Sequence, residues 1–160
     1  MSASAAQEVT IEIAAPPSRC FAVIVDFERY PEWSSAVRRA AVLERDQHGV
    51  GRLVEFEVDI TIKRIRYVLE YAYRRPRQLT WHSVDGDVES VQGAYQFRKL
   101  APQLTEATCR QEVQLGFWLP ARIRALAERT ALAQSVNEFK AAVERSATPP
   151  PRASQRLRRD

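Results

Sequence analysis

The side chains able to do nucleophilic, acid–base or metal chemistry are few and scattered along this sequence. Two cysteines, Cys20 and Cys109, and two histidines, His48 and His82, are all that 160 residues provide of those types. Both cysteines lie inside apolar-patterned segments, where a thiol behaves as a small hydrophobe, so two free, buried and unreactive thiols are expected. No Cys-x-x-Cys is present. The histidines fall in a turn and at an outward strand position, with no carboxylate or thiol at ligand spacing. No metal and no other cofactor is therefore expected. A nucleophilic enzyme needs a hydroxyl or thiol beside a base, and neither histidine is placed near Cys109, so no catalytic residue is assigned. Gly49-Val50-Gly51 runs into a strand pattern rather than a helix and reads as a turn, not a phosphate loop.

A different kind of chemistry is suggested by polar groups among aromatics. The alternation of the strands turns Phe56, Tyr67, Tyr71, Trp81, Tyr95, Phe97, Cys109 and Gln111 to one face, and the last helix adds Ile123, Ala127 and Thr130. Three phenols and one amide in that set each cost a few kcal/mol if buried without a partner. Beside a ligand or trapped water they are easily accommodated, so a polar-dotted apolar pocket is expected. Trp33 follows the helix-breaking Pro31, where its ring either closes the mouth of such a pocket or, as preferred here, anchors short helices to the sheet.

The elements that position these groups follow from periodicity. Val9, Ile11 and Ile13 alternate with polar residues as a strand. Ala15-Pro16-Pro17-Ser18 stops it, and Cys20 to Val25 fits a short buried helix entered through proline. Asp26 is suited to cap a second short helix that Pro31 ends. Val37 to Arg45 reads as a strand. In Leu53 to Ile62, Val54, Phe56, Val58 and Ile60 share one face and Glu55, Glu57 and Asp59 the other. The next strand repeats the pattern, with Tyr67, Tyr71 and Tyr73 inward and Arg64, Arg66 and Glu70 outward, so opposite charges can pair across a wet face. Leu79 to Val84, a tight turn at Asp85-Gly86, Ser90 to Leu100 and Thr105 to Leu115 complete seven strands, an antiparallel meander. Residues 119 to 146 then carry a helical stripe, Leu119, Ile123, Leu126, Thr130, Ala133, Val136, Phe139 and Val143, that must bury against the sheet.

Composition supports one globular domain, with 45% hydrophobic and 28% charged residues. The net charge of +4 is misleading as a nucleic-acid signal. Residues 147 to 160 hold Arg152, Arg156, Arg158 and Arg159 against Asp160, which is +3 of the +4 and leaves +1 for the body. No nucleic acid is expected to bind through the folded domain. The expected organisation is a flexible start over 1–7, a domain over 8–146 and a disordered basic tail over 147–160. No apolar run approaches the roughly 20 residues of a transmembrane helix, and a cytoplasmic location is expected.

The order strand, two short helices, six strands, long helix carries Ile13-Ala14-Ala15-Pro16, Asp26-Phe27-Glu28-Arg29-Tyr30-Pro31-Glu32-Trp33, Leu79-Thr80-Trp81 and the final Phe139 with Lys140 and Glu144. With these motifs it resembles the START-like, Bet v 1-like superfamily (SRPBCC), in its polyketide cyclase/dehydrase and lipid-transport branch. The resemblance implies an α+β helix-grip fold, a seven-stranded curved antiparallel sheet wrapped around the C-terminal helix. It also implies a hydrophobic small-molecule ligand, such as a lipid, quinone or polyketide, bound between them. Two alternatives come with it: an aromatase/cyclase-type enzyme without metal or nucleophile, and a protein-interaction module. Cyclase chemistry would use inward Arg and Tyr groups to polarise carbonyls. Arg39 fills that role if Val37, Ala41 and Leu43 are buried, whereas a shift of one residue substitutes Arg38.

Overall fold

Seven strands form one antiparallel sheet in the order β1-β7-β6-β5-β4-β3-β2. The strands are β1 (Gln7–Ile13), β2 (Val37–Arg45), β3 (Gly51–Ile60), β4 (Lys63–Arg74), β5 (Gln78–Gly86), β6 (Ser90–Ala101) and β7 (Leu104–Gln114). Between β1 and β2 lie α1 (Pro17–Ile24), a 3-10 turn at Phe27–Arg29 and α2 (Tyr30–Trp33), and α3 (Ala121–Ala147) closes the fold. This is the helix-grip arrangement. The computed structural model describes residues 6–60, 63–116, 118 and 120–147, and within α3 the side chains of 121, 122, 124 and 130–146. The expected flexible start and basic tail lie almost wholly outside the described residues. No helix among those described is long and apolar enough to cross a membrane.

Strand alternation builds the two faces. Val54, Phe56 and Val58 of β3 are buried inward. Outward, Glu55 meets Arg66 at 2.7 Å, Asp59 pairs with both Arg38 and Arg64, and Glu70 meets Arg52 at 3.1 Å. These pairs sit on a solvated face, where each contributes little to stability. They do settle which face is wet.

Several features differ from the sequence reading. Pro31 stands in the first turn of α2 and begins it rather than ending a helix, a position where its missing N–H costs nothing. Asp26 precedes the 3-10 turn without a side-chain capping bond. β5 runs through Asp85 and Gly86 instead of turning there. A bulge opposite Val68 and Leu69 carries the strand on, with Tyr67 paired to Gly86, whose φ of +126° and missing side chain let the Tyr67 backbone lie against it. In α3 the enclosed stripe is Leu132, Val136, Phe139 and Val143, while Thr130 is exposed; Leu119, Ile123 and Leu126 lie outside the described side chains.

The register of β2 overturns the placement of Arg39. Val37 pairs with Val58, but Arg39 already pairs with Glu57, so Arg38 is one extra residue in a bulge and parity flips after it. Ala40 and Val42 then turn inward opposite Phe56 and Val54. Arg39 points outward, 3.9 Å from Glu57, and Arg38 outward to Asp59. Leu43, the extra residue of a second bulge, is exposed rather than buried.

Candidate functional site

The inner face of the sheet differs along its length. At the end where β4 turns into β5 and α1 follows β1, the core is sealed. Ile13, Cys20, Thr105, Ala107, Phe139 and Val143 have no exposed surface, and Phe27 and Leu79 almost none. Aromatic rings tie this end together. Phe27 lies 4.7 Å from Tyr71, Tyr30 4.7 Å from Trp33, and Phe139 5.2 Å from Tyr95 and 5.9 Å from Trp33. Such pairs stabilise beyond the area they bury. Trp33 thus joins α2 to α3 and anchors the short helices. Arg19 on α1 donates to the Ser146 carbonyl near the end of α3 at 2.8 Å, and Lys140 donates to the Glu12 carbonyl at 2.8 Å, pinning the helix over β1.

Toward the other end, where β3 meets β4, β5 meets β6 and β7 leads to α3, the inner face is only partly covered. Val9, Ile11, Ile60, Tyr67, Gln111 and Val113 are all half-buried, although register places them inward. A groove of about 1100 Å³ lies beside this end between β1 and α3, lined by Gln7, Glu8 and Val9, by Thr130, Leu132 and the polar Gln134, Asn137 and Glu138 of α3, and by Ser35; of those half-buried inner-face residues, Val9 is the one that lines it. α3 packs on β1, β7, α1 and α2, and its Phe139 reaches Tyr95 and Phe97 of β6. Val136, Phe139 and Val143 of its C-terminal half are fully enclosed and close the sealed end.

The polar groups divide along the same axis. Near the sealed end Tyr30 donates to the Ile24 carbonyl at 2.5 Å and Tyr73 to the Gly51 carbonyl at 2.5 Å. Tyr95, at the waist between the two ends, donates to the Cys109 sulfur, and burial pushes its pKa well above the ordinary phenol value. Tyr67 and Tyr71 have no hydrogen-bond partner among the described residues. Burial raises Tyr67 to about 12 and Tyr71 well above the usual range. These phenols stay protonated, able to donate but not to act as bases at neutral pH. Cys20 and Cys109 are buried and free, with burial raising them to about 11 and about 12. His82 faces outward, 3.8 Å from Glu70, and His48 sits in the β2–β3 turn. Among the described residues no group of three His, Cys, Asp or Glu side chains could hold a metal ion.

Of the pocket residues expected from sequence, Phe56, Tyr71, Trp81, Tyr95 and Phe97 are brought together as buried inner-face aromatics, and Trp33, Tyr67 and Gln111 are half-buried around them. Phe97 and Tyr95, stacked 5.5 Å apart and packed on Phe139, belong to the solid part of the core. Thr130 lines the open groove instead of the enclosed stripe. The Ile123 and Ala127 side chains lie outside those described. Arg39 is not part of the site.

The profile of a known family, described as polyketide cyclase / dehydrase and lipid transport, matches residues 13–140. The chain belongs to that family. Solved structures agree on the fold. A START superfamily protein from Mycobacterium smegmatis superposes with a TM-score of 0.81 at 19% identity, covering 88% of this chain and 98% of that one. The Zhui aromatase/cyclase from Streptomyces sp. R1128 gives 0.78 at 15% identity, over 90% and 96%. A protein from Thermus thermophilus gives 0.78 at 14% identity, over 90% and 100%. No curated protein matches the chain significantly.

Within this polyketide cyclase/dehydrase and lipid-transport member, two contributors to the site are absent from the sequence reading. Phe27 forms the ring contact that carries the 3-10 turn into the core, and its place just after Asp26 gave no periodic signal. Gly93 pairs with Trp81 and Gln111 at an inward position of β6. A Cβ there would come within 2.6 Å of the Trp81 ring, so the indole occupies the side-chain space that Gly93 lacks. A glycine between inward Val91 and Tyr95 was the available signal, since glycine inside a strand marks a close approach.

Proposed function

We propose that this chain binds a mostly apolar small molecule, of the lipid, quinone or polyketide kind, between the inner sheet face and the N-terminal half of α3. The observation that carries this reading is the change in burial along one sheet face. Toward one end the inward apolar residues are enclosed, while toward the other half-buried Val9, Ile11, Ile60, Tyr67 and Val113 stand among buried Val58, Ile65 and Val91, with a groove beside β1 that Val9 reaches. A domain with a solid core would gain by closing that end, because each square ångström of apolar surface left in water forgoes about 25 cal/mol. Aromatic walls with a few unpartnered polar groups are what a small-molecule site requires. Native mass spectrometry of the purified protein, together with titration of the apolar fluorophore 1-N-phenylnaphthylamine, tests the reading. A retained small molecule or saturable probe binding is expected. A ligand-free protein that leaves the probe unbound would refute it.

Cyclase chemistry is less well supported, because both arginines nominated for it point into solvent. The interaction-module alternative has one observation in its favour: Trp118, between β7 and α3, is 81% exposed.

A further inference from the structure

The indole nitrogen of Trp81 is the buried side-chain polar atom with no hydrogen-bond partner among the described residues. The residue itself is only 8% exposed. An unpaired buried N–H carries a desolvation cost that nothing visible offsets, which makes it a rare feature needing a specific cause. Its neighbours along the row are informative. Trp81 on β5, Gly93 on β6 and Gln111 on β7 are consecutive partners across three strands. The indole lies against Gly93, so its position is fixed by the missing side chain. Gln111 stands across that row, half-buried, and its amide meets no partner among the described residues. Tyr30, Tyr73 and Thr105 each donate to a carbonyl and Tyr95 to Cys109, whereas the Tyr67 and Tyr71 hydroxyls, on the same inner face, also meet no partner among the described residues.

We propose that Trp81 Nε1 and the Gln111 amide form a recognition point for one uncharged oxygen acceptor, a carbonyl or ether, on an otherwise apolar ligand. This rests on the pocket reading above and names what the pocket selects. An uncharged acceptor suits the sheet side of the row, where Tyr67, Leu69, Tyr71, Val91, Tyr95 and Cys109 supply no cation to hold an anion in a low-dielectric site. Gln111 is the movable partner. Its half-buried amide can swing aside, admit the oxygen beside the indole and donate to it as well. A site holding an unpaired donor discriminates strongly against an analogue lacking the acceptor, because the donor then remains unsatisfied.

Two nearly isosteric probes separate the terms: 2-acetylnaphthalene, which has the acceptor, and 2-isopropenylnaphthalene, in which a methylene replaces the oxygen. On the full chain the ketone is expected to bind about tenfold or more tightly than the alkene. Trp81→Phe should bring the ketone down to the affinity of the alkene while leaving the alkene unchanged. Because that variant also loses packing, the parent protein provides a second readout. In a ¹H–¹⁵N spectrum the indole N–H signal missing from Trp81→Phe should shift downfield with the ketone and stay in place with the alkene. Equal affinities with an unmoved indole signal would overturn the inference and leave the pocket standing, with Gln111 as the internal partner of Trp81. Failure of both probes to bind would instead remove the pocket reading on which it rests.

Discussion

The sealed and open ends of the domain are made from the same seven strands, yet they are finished differently. At the sealed end α1, α2 and the last turns of α3 converge, Tyr30 and Tyr73 each have a carbonyl acceptor, and Ile13, Cys20, Ala107, Phe139 and Val143 have no access to water. At the open end the strands continue with the same inward apolar parity, but Tyr67, Gln111 and Trp81 hold polar groups that meet no partner among the described residues. On the proposed function, stability is concentrated at one end and recognition at the other. The proposed pocket would then sit against a sealed half that supplies most of the cooperative core.

The difference can be broken most forcefully at the sealed end. Phe139→Ala removes a fully enclosed ring that touches Trp33, Tyr95 and Phe97, and unfolding in urea should show a loss of about 3 to 5 kcal/mol. Tyr95→Ala should fall in the same range, since the ring is held by Phe97, Phe139 and Cys109. A loss below about 1 kcal/mol in either would mean that this end is not packed as described.

Alkali attacks the same region by another route. The thiols and phenols of the core have raised pKa values, so the folded chain keeps protons that the unfolded chain has released once pH passes about 9. The folded state then binds more protons, and stability must fall as pH rises from about 9 toward about 12. A melting temperature unchanged across that window would contradict the burial of these groups. For the same reason Cys20 and Cys109 should resist a thiol reagent at pH 8 until the protein is unfolded.

Changes at the open end should be milder. Gln111→Ala is expected to cost under about 1 kcal/mol, because a half-buried amide without a partner contributes little to stability, while probe affinity changes. Smallest of all, Arg39→Ala breaks only a long, exposed pair with Glu57 and should stay within about 0.5 kcal/mol with probe binding unaffected. An effect of Arg39→Ala on binding would restore the inward arginine that the bulge at Arg38 removes.

Much of this architecture is legible in the residues. Val54, Phe56 and Val58 against Glu55, Glu57 and Asp59 declare both faces of β3, and the motifs around Tyr30-Pro31-Glu32-Trp33 point to the family. The missing parts have a common cause. The bulges at Arg38 and Leu43 come from how β2 meets β3, and the sequence of β2, apolar at Val37, Ala40, Ala41, Val42 and Leu43, fits either parity. The phase of α3 near Thr130 and Leu132 depends on which surface lies beneath it, and small residues at 131 and 133 leave the periodicity ambiguous. The Trp81–Gly93–Gln111 row exists only through pairing between strands, so no local window contains it.

The most direct test of the central claim fills the open end. Val113 is an inward, half-buried residue on β7, opposite Val91 on β6. In a packed core, enlarging it to Phe would strain its neighbours by about 1 to 3 kcal/mol. If the interior is open there, Val113→Phe should leave stability within about 1 kcal/mol of the parent while reducing 1-N-phenylnaphthylamine binding at least about tenfold, as expected when a ring takes up ligand space. Full destabilisation together with no probe binding by the parent protein would show a solid helix-grip domain and contradict the account.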